Sequence, residues 1–468
     1  VGTISITQPG AGARISPRSI GVKLIVVCGL AISMTIPGLF VGGLIDERTN
    51  RSAEVVLQIS GSSGGQQTFL GPSLVVPYRV QRSASSSALD VYAVFPADAS
   101  ATLRTVTEER RRSLFKVPVF RADLKFDATF DLTGTPSALP PGLELDWDRA
   151  EMVVGVSDVR GALEDAKLTA NGKDMVLVPS QALPEITIGG DQKGRLTLTL
   201  LGARVDAAAK SGTPLHVTAS MRFSGAQRVA VLSYGKTTRV SAQGDWPNPG
   251  FDGGFLPARR SISVSGYTAE WFVPFIARGV RAEGPLDLIA GLDATALGTS
   301  FIQVADPYQS VTRCLKYVLL FVGLIFLSYF VMEVATGKRI HPAQYILVGV
   351  AQIIFYLLLL SLAERIGFDP AFSIAGGVTV ALLSTNAGWV FASRLQGLRA
   401  LVIFTLLYLV IFLLLRAEDN ALLIGAITSF LVVAATMYLT RKIDWYSPLP
   451  VPSAAEPRTP PPVSEPSA

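Results

Sequence analysis

The stretch YVLLFVGLIFLSYFVMEVATGKRIHPAQYILVGVAQIIFYLLLLSLAERIG, residues 317–367, decides the class of this protein. It holds two apolar runs, each long enough to cross a bilayer, joined by a few polar residues. The join carries Arg339-Ile340-His341-Pro342-Ala343-Gln344-Tyr345, which concentrates an arginine, a histidine and a glutamine. Three more apolar runs follow, so spans are expected at about 316–336, 343–363, 371–392, 399–416 and 419–439, within a block over 316–446. Far upstream, residues 20–45 form another nearly uncharged run, interrupted by Pro37, which should kink it. Basic residues before an apolar core also describe a cleaved signal peptide. This run is too long for a signal core and lacks an Ala-x-Ala end, so an uncleaved anchor is expected.

Composition supports a divided molecule. Hydrophobic residues make up 49% and charged residues 16%, with a mean hydropathy of +0.41. That is too apolar for an ordinary soluble chain and too mixed for one wholly embedded. The formal net charge of +5 reflects Lys and Arg beside the spans and points to no nucleic-acid partner. Two cysteines, Cys28 and Cys314, and two histidines, His216 and His341, exclude a disulfide scaffold, a thiolate zinc site and a histidine-rich centre. No cofactor is expected.

Between the anchor and the block, residues 46–315 read as a large antiparallel β-rich domain. The anchor helix should continue through Glu54–Ile59 until Gly61 stops it. Beyond it, Leu74–Tyr78, Val91–Phe95 and Leu196–Leu200 have strand composition. Residues 122–132 alternate, with Leu124, Phe126, Ala128 and Phe130 on one face and charged or polar residues on the other. A division into two subdomains near 180–195 would suit a region of this size. Asp245-Trp246-Pro247-Asn248-Pro249-Gly250-Phe251, continuing to Phe255-Leu256-Pro257, should be an ordered loop packed by its aromatics and a surface for an envelope protein or cell-wall partner. Residues 1–19 read as a flexible arm and 447–468 as a disordered tail.

Orientation follows from basic residues at the span ends. Arg14, Arg18 and Lys23, then Lys338 and Arg339, then Arg394 and Arg399, then Arg441 and Lys442 fall on one side if six helices cross. Both termini are then cytoplasmic and the β domain is periplasmic. Arg313 and Lys316 fall on the other side, where a long translocated domain tolerates them.

Chemistry is sparse. No phosphate loop, zinc-protease helix or nucleophile elbow occurs. His341 before Pro342 suits a helix start, and with Lys338 and Arg339 it should cap carbonyls or meet lipid phosphates. Glu333, Gln352 and Asn386 lie inside expected spans. Glu333 and Asn386, at similar depth, should hydrogen-bond to each other, or Glu333 to Lys338 or Arg339, as interhelical glue. A transport pathway through these three residues is the competing reading. A membrane enzyme acting on lipid or cell-wall precursors would need an acid–base pair, for which Asp306, Glu333 and His341 are the candidates.

An ordered series of landmarks runs from about residue 37 to 446. It comprises Pro37-Gly38, Ile45-Asp46-Glu47-Arg48, Gly71-Pro72 with Val75-Val76-Pro77-Tyr78, and Val154 to Gly161. It continues through Asp245-Trp246-Pro247, Phe255-Leu256-Pro257, Tyr308-Gln309, Lys316-Tyr317, Arg339-x-His341-Pro342-x-Gln344-Tyr345 and Ile443-Asp444-Trp445-Tyr446. This series resembles the CreD family of bacterial inner-membrane, cell-envelope integrity proteins. The resemblance implies a non-enzymatic protein whose expression responds to a two-component system and which affects resistance to envelope stress. It implies no catalytic or binding site.

Overall fold

The computed structural model describes residues 20–441 except 84–85, 113–114, 134, 136–143, 190–194, 206–212, 302–306 and 417–420. Packing separates two compact units, Asn50–Val304 on one hand and Val1–Thr49 with Ala305–Ala468 on the other.

In the first unit, strand-forming sequence is sorted into two sheets. The 10-stranded sheet carries, in order, Pro249–Gly253, Ala296–Phe301, Arg228–Leu232, Gln67–Ser83, Glu151–Val156, Leu196–Arg204 and Val178–Pro179, with shorter strands paired alongside. The 8-stranded sheet runs Arg259–Ser263, Gly266–Val273, Thr237–Gly244, Asp98–Arg112, Phe115–Phe130, Leu215–Ala226, Lys167–Ala170 and Lys173–Val176. The alternation over 122–130 places Ala122, Leu124, Phe126, Ala128 and Phe130 in the core and leaves Asp123, Lys125 and Asp127 exposed.

Two expectations need correction. The pairing is not wholly antiparallel: Gln67–Phe69 runs parallel to Val229–Val231, and Thr237–Gly244 runs parallel to Asp98–Thr105. These partners are distant in sequence, so no hairpin turn dictates their direction. Nor does the region split near 180–195, because one core draws Phe69, Phe126 and Val154 together with Ile186, Leu198 and Trp271. Dividing it there would expose both sheet faces.

Two family landmarks prove to be packing joints of this unit. A Cβ on Gly71 would sit 2.6 Å from the Tyr234 ring, whose hydroxyl donates to the Ser100 carbonyl at 2.7 Å. Gln67 donates to the carbonyls of Gly64 and Asp158 at 2.7 and 3.0 Å, and a Cβ on Gly161 would meet its Nε2 at 2.5 Å. Only glycine permits either approach.

The second unit is helical. Helices α1 (Ile20–Ser33) and α2 (Thr35–Ser62, of which residues from Asn50 belong to the first unit) are broken at Met34, one turn before Pro37. The break falls there because Pro37 lacks the N–H that would bond the Ser33 carbonyl. After α3 (Phe275–Arg278) in the β unit come α4 (Pro307–Lys316), α5 (Val318–Thr336), α6 (Pro342–Ile366), α7 (Phe368–Val390), α8 (Arg394–Arg416) and α9 (Ala421–Thr440). Helix α4 lies where β structure was expected. Tyr308, Val311 and Cys314 recur every three residues and are buried in the helical unit, and the Tyr308 hydroxyl lies 3.0 Å from Glu364. Among the described residues, five helical segments are long and apolar enough to cross a membrane: Ile20–Ser62, α5, α6, α7 and α8.

Candidate functional site

The join between α5 and α6 is organised around a buried charge. Helix α5 ends at Gly337, which takes the left-handed conformation (φ 66°) that glycine alone adopts without strain. His341 caps α6, its Nδ1 accepting the Ala343 N–H at 3.2 Å, and Pro342 occupies the first turn, where its missing donor costs nothing. His341 and Arg339 are exposed, Gln344 is half-buried, and Tyr345 is buried.

Glu333, 1% exposed on the last turn of α5, faces inward beneath this join. Its Oε1 accepts from the Lys23 ammonium of α1 and from the Ile340 N–H at 2.8 Å. Its Oε2 accepts from the Tyr345 hydroxyl at 3.0 Å, and Lys23 also donates to the Ile340 carbonyl at 2.7 Å. A carboxylate out of water is tolerated only when charge and lone pairs are both matched, and this arrangement matches both. It clasps three helices: α1 through Lys23, α5 through Glu333 and α6 through Tyr345.

The partners expected for Glu333 are therefore corrected. Lys338 donates instead to the Phe391 carbonyl at the end of α7. Asn386 donates to the Tyr329 hydroxyl at 3.2 Å, and that hydroxyl donates to the Leu383 carbonyl at 2.8 Å. Deeper in the unit, Gln352 is wholly buried and accepts from Tyr408 at 3.3 Å, while its Nε2 has no partner among the described residues. The Tyr408 ring that reaches it is packed by Phe355 and Phe321, with centroids at 5.1 and 4.6 Å.

Among the described residues, no acid–base pair forms at the positions considered for catalysis. Glu333 is engaged by Lys23, His341 caps a helix from the surface, and Asp306 lies outside the described residues. Among the described residues, no group of three His, Cys, Asp or Glu is placed to hold a metal. A groove at the α7–α8 corner is lined by Ala381, Ser384, Trp389, Arg394 and their neighbours, and not by Glu333, Gln352 or Asn386.

The Asp245–Pro257 segment is partly strand rather than loop. Pro249–Gly253 forms an edge strand, with Pro249 at its first position, where a missing donor is tolerated. Asp245 accepts the Thr107 N–H at 2.9 Å, Trp246 meets Phe301 edge-on, and Pro247 is half-buried. Phe251 packs on Tyr267 and Trp271, whose indole donates to the Phe255 carbonyl at 3.1 Å. The same unit buries Arg278, 3% exposed, with its guanidinium 4.2 Å over the Phe95 ring and Nε donating to the Ser233 carbonyl. Burial pulls this guanidinium down to about 10.

Sequence reasoning missed Lys23 as the partner of Glu333 and read it only as an orientation signal. A lone lysine inside the first turn of an apolar helix was the available clue. Tyr329, Tyr408 and the α7–α8 groove carried no readable signal.

The model of the family described as inner membrane protein CreD matches residues 19–446. Inner membrane protein CreD of Escherichia coli strain K12 is 29% identical over 437 residues, covering 91% of this chain and 93% of that protein. The match includes both the clasp and the glycine joints of the β unit, and the chain belongs to the CreD family.

Proposed function

We propose that this is a six-span protein of the bacterial inner membrane, with both termini cytoplasmic and the β unit periplasmic, that helps maintain the cell envelope without catalysing a reaction. The observation carrying the orientation is the charge difference between the two ends of the helical unit. Lys23, Lys338, Arg339, Arg394 and Arg399 gather at the clasp end, where Glu333 is already neutralised. The opposite end mixes signs, with Arg48 beside Glu364 and Arg416 paired to Asp369. Basic ends face the cytoplasm. Helix α9 is the sixth crossing. A reporter fused after Asp306 is expected to be active only in the periplasm, and one fused after Lys442 only in the cytoplasm; the reverse pattern overturns the orientation.

The envelope role rests on the β unit engaging another envelope component. Its Arg259–Ser263 strand is an edge exposed along its whole length, flanked by Leu256 at 69% and Val264 at 95% exposure. An open edge with apolar flanks is the surface to which a partner strand adds. The L256D/V264D variant should fold normally yet lose resistance to envelope stress. Full resistance with that variant removes this edge from the function. A transport pathway is disfavoured by the engagement of Glu333 and Asn386 and by the burial of Gln352 against the packed Tyr408 ring.

A further inference from the structure

The corner between α7 and α8 holds an open groove of about 710 Å³, within the range of small-ligand sites. Its floor exists because the two helices touch backbone to backbone: a Cβ on Gly397 would lie 3.2 Å from the Gly388 Cα and 3.3 Å from the Ser384 carbonyl oxygen. At its mouth stand Arg394, exposed and without an acidic partner among the described residues, and Trp389, 74% exposed. Leu398 and Leu401 form an apolar wall.

Ser384 supplies an independent observation. A serine or threonine in a helix ordinarily donates to the carbonyl one turn back. Ser373, Thr379 and Thr385 of the same helix do so, at 3.0, 2.8 and 2.8 Å. Ser384 lines the groove, is only 7% exposed, and its Oγ has no partner among the described residues. A buried hydroxyl left unpaired is unfavourable, and one step about its single rotatable bond redirects it.

We propose that this groove binds one anionic phospholipid of the cytoplasmic leaflet. The Arg394 guanidinium meets the phosphate, the Ser384 hydroxyl donates to a glycerol or ester oxygen, and Leu398 and Leu401 face the first part of the acyl chain. The charge is complementary, since Lys338 caps α7 at the same corner and no acidic residue lines the groove. A guanidinium suits this task because it offers several donors in one plane to phosphate oxygens. The proposal rests on the reading that α7 and α8 cross the bilayer, which the reporter fusions test separately.

The test uses the full chain, purified and equilibrated with equal amounts of phosphatidylglycerol and phosphatidylethanolamine, with retained lipid counted by native mass spectrometry. One phosphatidylglycerol should be retained about fivefold over phosphatidylethanolamine, the preference one basic residue provides near a charged surface. The exposed-site variant R394Q should erase that preference, and S384A should lower retention about fivefold. A381F, which fills the groove from its exposed wall, should abolish retention while leaving the thermal midpoint unchanged. Equal retention of the two lipids overturns the proposal. So does an effect of R394Q with none from S384A and A381F, which would mean diffuse surface attraction. Displacement of the lipid by millimolar inorganic phosphate, or a dimer of the chain in place of a lipid adduct, overturns it as well.

Discussion

Each unit of this molecule buries a carboxylate, and the two are neutralised in different ways. Glu151 of the β unit, 4% exposed, accepts among the described residues from uncharged donors of one short segment: the Ser180 hydroxyl at 2.6 Å and the Gln181 and Ala182 N–H groups at 3.2 and 3.4 Å. Glu333 of the helical unit is answered by a full positive charge from Lys23, 310 residues away in the chain, as well as by an N–H and a hydroxyl. A sheet edge and turn can turn several backbone N–H groups toward one oxygen. A helix interior cannot, because its N–H groups are already used, so a charged side chain must come from another helix. The β unit thus satisfies its buried acid with neutral donors from one turn, whereas the helical unit uses its buried acid to hold three helices together.

The contrast is broken or sharpened by substitution. E333Q should produce the largest effect, about 3 kcal/mol of lost stability in the helical unit, because it leaves the half-buried Lys23 without a counter-charge. Reversible unfolding in mixed micelles measures it. E151Q keeps an acceptor oxygen for Ser180 and should cost about 1 kcal/mol in the β unit. A loss as large as that of E333Q would end the distinction. The smallest effect is the pH dependence contributed by Asp158, whose carboxyl is held below the usual range by hydrogen bonds from Arg160. A carboxylate lowered on folding stabilises above its unfolded pKa of about 3.9 and loses that contribution as pH falls through the lowered folded value. Wild type should therefore lose slightly more β-unit stability than D158N on acidification below about pH 4.

Local features were legible in the sequence, and distant pairings were not. The apolar runs, the alternation over 122–130 and the His341-Pro342 helix start each state their structure within a dozen residues, because helix and strand periods are local. The prolines of the 245–257 segment correctly excluded a central strand but not an edge strand, since only the pairing of Pro249–Gly253 with Ala296–Phe301 reveals that this strand ends the sheet. The parallel register of Gln67–Phe69 on Val229–Val231 depends on the whole core. Glu333 was recognised as costly to bury, yet Lys338 and Arg339 were nearer in sequence than Lys23. In the fold, Lys338 turns to the α7 terminus and Arg339 is exposed, while Lys23 is carried to Glu333 by α1 packing on α5.

A double-mutant cycle on Lys23 and Glu333 tests the clasp most directly. Stability of the wild type, K23M, E333Q and the K23M/E333Q pair would be measured by reversible unfolding of the full chain in mixed micelles. Each single change should be strongly destabilising, and the pair should cost far less than their sum, with a coupling of about 3 kcal/mol. Additive effects of the two substitutions would contradict it.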